Sequence, residues 1–240
     1  KAPFDNVNVR KALNLSLDRN VITDKVLGQG QTPTYVFTPT YIEEGQLIQQ
    51  PAYSKEPMAQ RNEEAIKLLE EAGYSKANPL KFSILYNTNE NHKKVAIAAA
   101  SMWKANTKGL IDVKLENQEW KTYIDSRRAG RYDAARAGWN ADYNQATTFG
   151  NYFLSNSSNN TAKYANPEYD KAIAESYVAT DAEGRAKAYA KAEEILAKDF
   201  GIVPIFNYVN PRLVKPYVKG YSGKDPQDHI YLRNLYIIKH

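Results

Sequence analysis

The feature that most limits the fold is the alternation of hydrophobic periods between residues 80 and 138. Residues 80–87 are a short apolar run of strand length. Residues 91–107 then carry Val95, Ala98, Ala99, Met102 and Trp103 at helical spacing, so this Met/Trp stripe reads as core. Residues 111–115 return to strand, 118–129 to helix, and 131–138 to an alternating strand. That succession defines an α/β chain with a parallel or mixed sheet flanked by helices.

Elsewhere, helices are expected where a cap precedes helical spacing. Asp5-Asn6 precedes residues 7–15, and Asp18-Arg19 opens a second short helix ending near Gly28 and Gly30. Residues 58–72 place Ala65, Leu68, Leu69 and Ala72 on one face, with Gly73 as the stop. Residues 147–154 read as a short helix. Asn166-Pro167 reads as cap and first turn of a helix through Val178, and Thr180-x-x-Glu183 as a capping box for one ending near Asp199.

Residues 31–57 are rich in Thr, Pro, Gln and Tyr and have no helical period. They are expected as extended loop with one strand at 35–38, the kind of segment that serves binding or wraps a surface. Residues 202–208 form an apolar strand whose Pro204 favours a sheet edge. From Asn210 short strands and turns take over: Lys215-Pro216, residues 222–226, and an alternating strand at 231–238. A boundary near residues 208–211 is expected, with the tail packing against something other than the first lobe.

No run approaches the roughly 18 apolar residues that a membrane span needs, so the chain is expected in aqueous solution. It opens on Lys-Ala-Pro-Phe-Asp, already within structured-looking sequence, and reads as a processed or truncated piece. The net charge is +5, but bases alternate with acids such as Glu63-Glu64, Glu70-Glu71 and Glu193-Glu194. No basic stripe emerges, and nucleic acid is not expected as a partner. The 18 tyrosines and three tryptophans, against seven phenylalanines, supply many rings with a polar handle, which suits an adaptable recognition surface.

The sequence offers little chemistry. Zero cysteines exclude disulfides and thiolate metal sites. His92, His229 and His240 lack metal-ligand spacing, and the last is expected to be disordered. There is no G-x-S-x-G and no phosphate-cradling loop; Gly28-Gln-Gly30 is too short. Asp133 and Asp142 are candidate acid–base groups, but no nucleophile or oxyanion donor accompanies them. No catalytic residue, metal or cofactor is therefore expected.

The stretch Arg136-Ala-Gly-Trp-Asn-Ala-Asp142-Tyr143 is the candidate for function. Gly138 permits close backbone approach, Trp139 offers a flat wall, and Asp142 offers one negative charge. Such a stretch could grip an extended ligand by its main chain and hold a positive group at one end. The alternative is a strand ending in a turn, with Trp139 in the core and Asp142 capping residues 144–153. Asn87 and His92 follow one strand while Arg127 and Arg128 precede another, and an α/β topology can bring these to one rim. Each arginine there could grip a carboxylate or form a surface ion pair.

With Asn117-Gln-Glu-Trp120, residues 136–143 and Tyr208-Val-Asn-Pro-Arg-Leu-Val-Lys-Pro216, the chain resembles the C-terminal half of periplasmic oligopeptide-binding proteins. These are the solute receptors of peptide ABC importers. Val9-Arg10-Lys-Ala12 and Leu17-Asp18-Arg19 resemble the helix opening their third domain. The resemblance spans essentially the whole chain. It implies a periplasmic-binding-protein-like α/β lobe with a mixed sheet at residues 1–208, plus a returning tail of the first domain at 209–240.

It further implies that the N-terminal half of the family is absent here, as a companion fragment or as the other lobe. Residues 136–142 would pair with the backbone of a short peptide, and Asp142 would take its α-ammonium. Trp120, Trp139, Tyr208 and Asn87 would line side-chain pockets, while Arg127, Arg136 and His92 would neutralise the peptide carboxylate. Gly138 and Asn140 belong to the same binding segment. Asn140 stands where some relatives carry a disulfide-forming cysteine. Periplasmic residence and an inner-membrane ABC permease as partner follow from the same resemblance. A murein peptide, a dipeptide or haem are the alternative cargoes within it.

Overall fold

The computed structural model describes residues 1–223, 225 and 228–240. Its centre is strand β2 (Leu80–Asn87), which runs parallel to β3 (Ile111–Gln118) along its whole length, from Leu80↔Ile111 to Asn87↔Gln118. On its other edge β2 pairs, again parallel, with the two-residue β4 (Ala134–Ala135). Helix α3 (Glu90–Asn106) links β2 to β3, and α4 (Trp120–Arg128) links β3 to β4. Helical crossovers return each strand in the same direction, so this sheet is parallel and not mixed. Among the described residues antiparallel pairing is confined to two separate ladders: β1 (Thr32–Pro33) with β5 (Phe206–Asn207), and β6 (Val218–Lys219) with β7 (Tyr236–Ile237).

Within residues 1–208, three expected strands are shorter or displaced, each for a visible reason. The alternating residues 131–138 yield only β4. Beyond it the Arg136 amide still donates to Leu85 O at 2.8 Å, but the Arg136 carbonyl is taken by the Tyr123 hydroxyl and the chain leaves the sheet. The strand expected at 35–38 lies instead at Thr32–Pro33, because the amides of Phe37 and Thr38 are claimed by the Glu193 carboxylate. Residues 202–208 contribute only β5, since the Pro204 carbonyl accepts from Arg19 Nε at 2.7 Å.

The helices follow their caps. Asn6 accepts from the Asn8 amide to start α1 (Val7–Leu15), and α2 spans Met58–Glu71. Asp18-Arg19 leads into a π-helical turn, Val21–Leu27, closed by Gly28 at φ 63°. Residues 147–154 divide into α5 (Thr147–Gly150) and a 3₁₀ turn at Asn151–Phe153. Asn166 caps α6 (Pro167–Val178) as expected. α7 (Ala182–Lys198) is capped by Asp181, one residue later than expected, whose carboxylate accepts from the Gly184 amide and suits the positive end of the helix.

Two cores result. One gathers α1, α2, α3 and the inner faces of β2 and β3 around Leu13, Leu69, Phe82, Ile84 and Trp103. The other gathers α5, α6 and α7 around Phe149, Tyr152, Ile173 and Tyr189, with Ile42 and Ala141 packed in. Val36, Thr38, Ile42 and Glu44 of the long irregular segment are buried, while Glu43 is exposed. Residues 210–240 differ: Leu213, Leu232 and Ile237 expose 105%, 76% and 69% of their surface. The expected strand at 231–238 reduces to a 3₁₀ turn at Leu232–Asn234 followed by β7, and His240 stacks on Tyr217 instead of hanging free. The expected turn at 222–226 lies partly outside the described residues.

Candidate binding site at the carboxyl rim of the sheet

Parallel strands deliver their carboxyl ends to one edge of the lobe, where loop backbones and helix starts are free to meet a ligand. Here β2 delivers Asn87, β3 leads into Trp120, and β4 leads into Arg136. A cleft of about 380 Å³ is lined by residues 132–139 and 200–208 and reaches the core residues Phe82, Ile84 and Trp103. Arg127, Arg136, Gly138, Trp139 and Tyr208 all line it.

Two cations dominate this end. The Arg127 guanidinium lies 5.4 Å from the Tyr123 ring centroid and donates through Nη2 to Tyr152 Oη and Thr161 Oγ1, each at 3.0 Å. Arg136 donates through Nη2 to Tyr208 Oη at 2.6 Å. Neither takes part in an ion pair among the described residues, and Arg127 Nε is buried without a partner. The surface ion pair open to each arginine is thus not what the fold makes. Neutral hydroxyls hold both forks in place and leave their charge uncompensated, an arrangement suited to a carboxylate from outside.

Asn87 and His92 meet as a pair, His92 Nδ1 lying 2.7 Å from Asn87 Oδ1. An amide oxygen can only accept, so Nδ1 carries the proton and Nε2 is left as acceptor. Partial burial, and then the positive charge of Arg136, push the imidazole down to about 4. His92 is therefore neutral at pH 7, and the positive charge of this rim comes from the arginines. Arg128, grouped with Arg127 in the sequence, is exposed.

Gly138 is explained by contact. A Cβ built there would stand 1.9 Å from Tyr208 Oη, so only glycine lets the tyrosine close over the segment. Trp139 is half-buried, its ring 5.0 Å from that of Tyr152 in an edge-on arrangement. Asn140 and Asp142 follow on an exposed stretch. The Asp142 amide donates to Thr148 Oγ1 at 3.0 Å, and that hydroxyl reaches Asp142 Oδ2 at 3.3 Å. The acid is tied to Thr148 of α5 and still faces solvent; α5 follows Ala146 without a side-chain cap, so Asp142 does not cap the following segment. Trp120 stands apart, 57% exposed at the head of α4 beside Tyr123.

Sequence reasoning missed Tyr123, Tyr152, Thr161 and Thr148, which hold the arginines and the acid. Only the excess of tyrosine hinted at them, without positions. Asp133, a candidate acid, instead accepts from the Ser83 amide and hydroxyl at the sheet edge. Among the described residues no cluster of His, Cys, Asp and Glu could hold a metal, and no helix is long and apolar enough to cross a membrane.

The chain belongs to the bacterial extracellular solute-binding proteins, family 5 (middle region), matched over residues 1–161. It is 97% identical over all 240 residues to the periplasmic oligopeptide-binding protein OppA of Haemophilus influenzae, of which it spans 44%. The crystal structure of that relative in complex with the peptide RPPGFSPFR superposes with a TM-score of 0.92, covering the whole of this chain and 47% of the other. The periplasmic murein peptide-binding protein MppA of Escherichia coli is 44% identical over the same length, again with 44% of the relative covered. The chain thus spans less than half the length of the curated relatives it matches.

Proposed function

We propose that this chain is one lobe of the substrate-binding component of a periplasmic ABC peptide importer. Residues 1–208 form the peptide-binding lobe. Residues 209–240 return to the first domain, whose apolar surface covers the exposed Leu213, Leu232 and Ile237. The remaining half of the longer protein supplies the second lobe, and an inner-membrane permease receives the cargo. Short peptides bind extended, with main-chain pairing to residues 136–142 that is indifferent to side-chain identity. The exposed Asp142 takes the α-ammonium, and Arg127 and Arg136 take the carboxylate. Trp120, Trp139, Tyr208 and Asn87 bound the side-chain pockets, and Gly138 and Asn140 present backbone.

One observation carries this reading: two hydroxyl-held arginines without carboxylate partners line the cleft, and the solvent-facing Asp142 is fixed to the same Thr148 hydroxyl as the cleft-lining Trp139. Family membership and the similarity to peptide-binding relatives support it. The test is calorimetric titration of the intact two-lobed protein with RPPGFSPFR. Asp142→Asn should weaken binding by about ten- to hundredfold, the value of one charge-assisted hydrogen bond. Unchanged affinity would overturn the ammonium clamp.

His92 supplies a second check. Burial is the larger cause of the depression and Arg136 the smaller, so a carboxylate bound beside Arg136 should raise the His92 midpoint above about 4 while burial keeps it below the ordinary 6.5. Binding then takes up a proton, and affinity for free-acid peptides should strengthen as pH falls through that raised midpoint toward about 4. C-terminally amidated peptides should lack that trend. Proton NMR of the imidazole, with and without peptide, measures it.

A further inference from the structure

Asp142 lies on an exposed stretch, yet its backbone and side chain converge on one buried hydroxyl, that of Thr148. A threonine hydroxyl has one proton to give and two lone pairs to offer. Thr148 Oγ1 uses all three within the candidate site. It accepts from the Asp142 amide at 3.0 Å and from Trp139 Nε1 at 3.4 Å, and it donates to Asp142 Oδ2 at 3.3 Å. The acid and the aromatic wall are thus oriented by the same atom.

The adjoining residue explains why that atom is itself fixed. Thr147 Oγ1 donates to Gln145 Oε1 and lies 3.1 Å from the Tyr189 hydroxyl of α7. Gln145 Nε2 donates to Glu44 Oε2 at 2.9 Å, and Arg185 of α7 grips Glu44 Oε1 through Nε and Nη2, both at 2.7 Å. Arg185 and Tyr189 are four residues apart and share a face of α7. Glu44 is 4% exposed and sits at φ 64°, a left-handed conformation that costs a glutamate energy and persists only where its surroundings hold it. Thr147 therefore anchors the start of α5 to the helix behind it, while Thr148 faces forward.

We infer that Thr148 is the positioning residue of the ligand clamp, presenting Asp142 and Trp139 in fixed geometry from a buried frame built on α7 and the Glu44 loop. This rests on the reading of Asp142 as the ammonium site. Ala141 is buried, but Asn140 and Asp142 on either side are exposed, so without Thr148 the carboxylate would be free to turn and the fixed geometry would be lost.

The experiment compares RPPGFSPFR with its N-acetylated form on the intact two-lobed protein, taking the ratio of the two dissociation constants as the readout. Wild type should favour the free amine by about tenfold or more, and Asp142→Asn should bring the ratio to about one. Thr148→Val should lower the ratio by about fivefold, because a displaced Trp139 weakens both peptides alike and cancels in the ratio, and Thr148→Ser should restore the wild-type ratio. A hydroxyl that merely stabilised the fold would change both affinities together. A ratio unchanged in Thr148→Val but lost in Asp142→Asn overturns the positioning role and leaves the clamp standing. A wild-type ratio of one removes the clamp, and the positioning role falls with it. Thr148→Ser keeps the test open should the valine variant fold poorly.

Discussion

Two long segments of this chain lack a helical period, and they end in opposite circumstances. The segment at residues 31–57 is held down by carboxylates: Glu193 of α7 accepts from the amides of Phe37 and Thr38 and from the Thr38 hydroxyl, and Glu44 is gripped by Arg185. The segment at residues 210–240 closes polar contacts of its own, as where Arg212 and Asn210 meet Asp228, while its leucines and isoleucines face outward. A polar sequence can become part of a packed lobe when buried side chains satisfy its backbone groups. A more apolar one can stay outside it when no neighbouring element offers a face. Apolar content alone does not say which segment belongs to a domain.

The strongest way to break the contrast is to remove its main anchor. Glu193 is 5% exposed and accepts three hydrogen bonds, so Glu193→Ala strands two backbone amides and leaves a cavity. The expected loss is about 3 kcal/mol, read as a lower urea midpoint at unchanged slope. Burial raises the Glu193 carboxyl above its ordinary 4.5. Its contribution is thus fully present below about pH 4.5 and declines as pH rises through the shifted value. Glu193→Gln should remove that decline, which a pH series of unfolding curves would reveal.

A weaker perturbation probes the second anchor. Glu44→Ala breaks a pair whose acid is 4% exposed and whose base is 30% exposed, and should cost about 2 kcal/mol, below the range for a fully buried pair. Glu44→Gly loses the same pair but fits φ 64° without strain, so it should lie about 0.5–1 kcal/mol above the alanine variant. Equal stability of the two variants would mean that the backbone relaxes once the side chain is gone.

The same contrast marks what the sequence could tell. Helices α2, α3 and α6 and strand β2 were legible from local signals: helical spacing in α2 and α3 with Gly73 stopping α2, the Asn166-Pro167 start of α6, and the apolar run of β2. The strand expected at 35–38 was not, because its competitor for the backbone amides, Glu193, lies some 155 residues away. Arg136, Gly138, Trp139, Asp142 and Tyr208 were marked as candidates by residue type and resemblance. Their holders, Tyr123, Tyr152, Thr161 and Thr148, are ordinary residues whose importance lies only in where the chain brings them. His92 was counted with the cations, and its neutrality follows from burial and from Arg136, neither of which sequence spacing displays.

The smallest expected effect gives the finest test of the contrast. Leu213 and Leu232 are 105% and 76% exposed, so replacing either by serine removes almost no buried apolar surface from this chain. Unfolding of the 240-residue chain should shift by less than about 0.5 kcal/mol, the range of ordinary surface substitutions. In the intact two-lobed protein the same leucines are proposed to pack on the first domain. There each substitution should cost about 1–3 kcal/mol, as for a buried leucine made polar. Paired denaturation curves of the short and the intact protein measure the difference directly. A loss of similar size in both would mean that the tail already packs on residues 1–208, and the boundary near residue 208 would have to be abandoned. No loss in either would mean that the first domain does not cover these side chains.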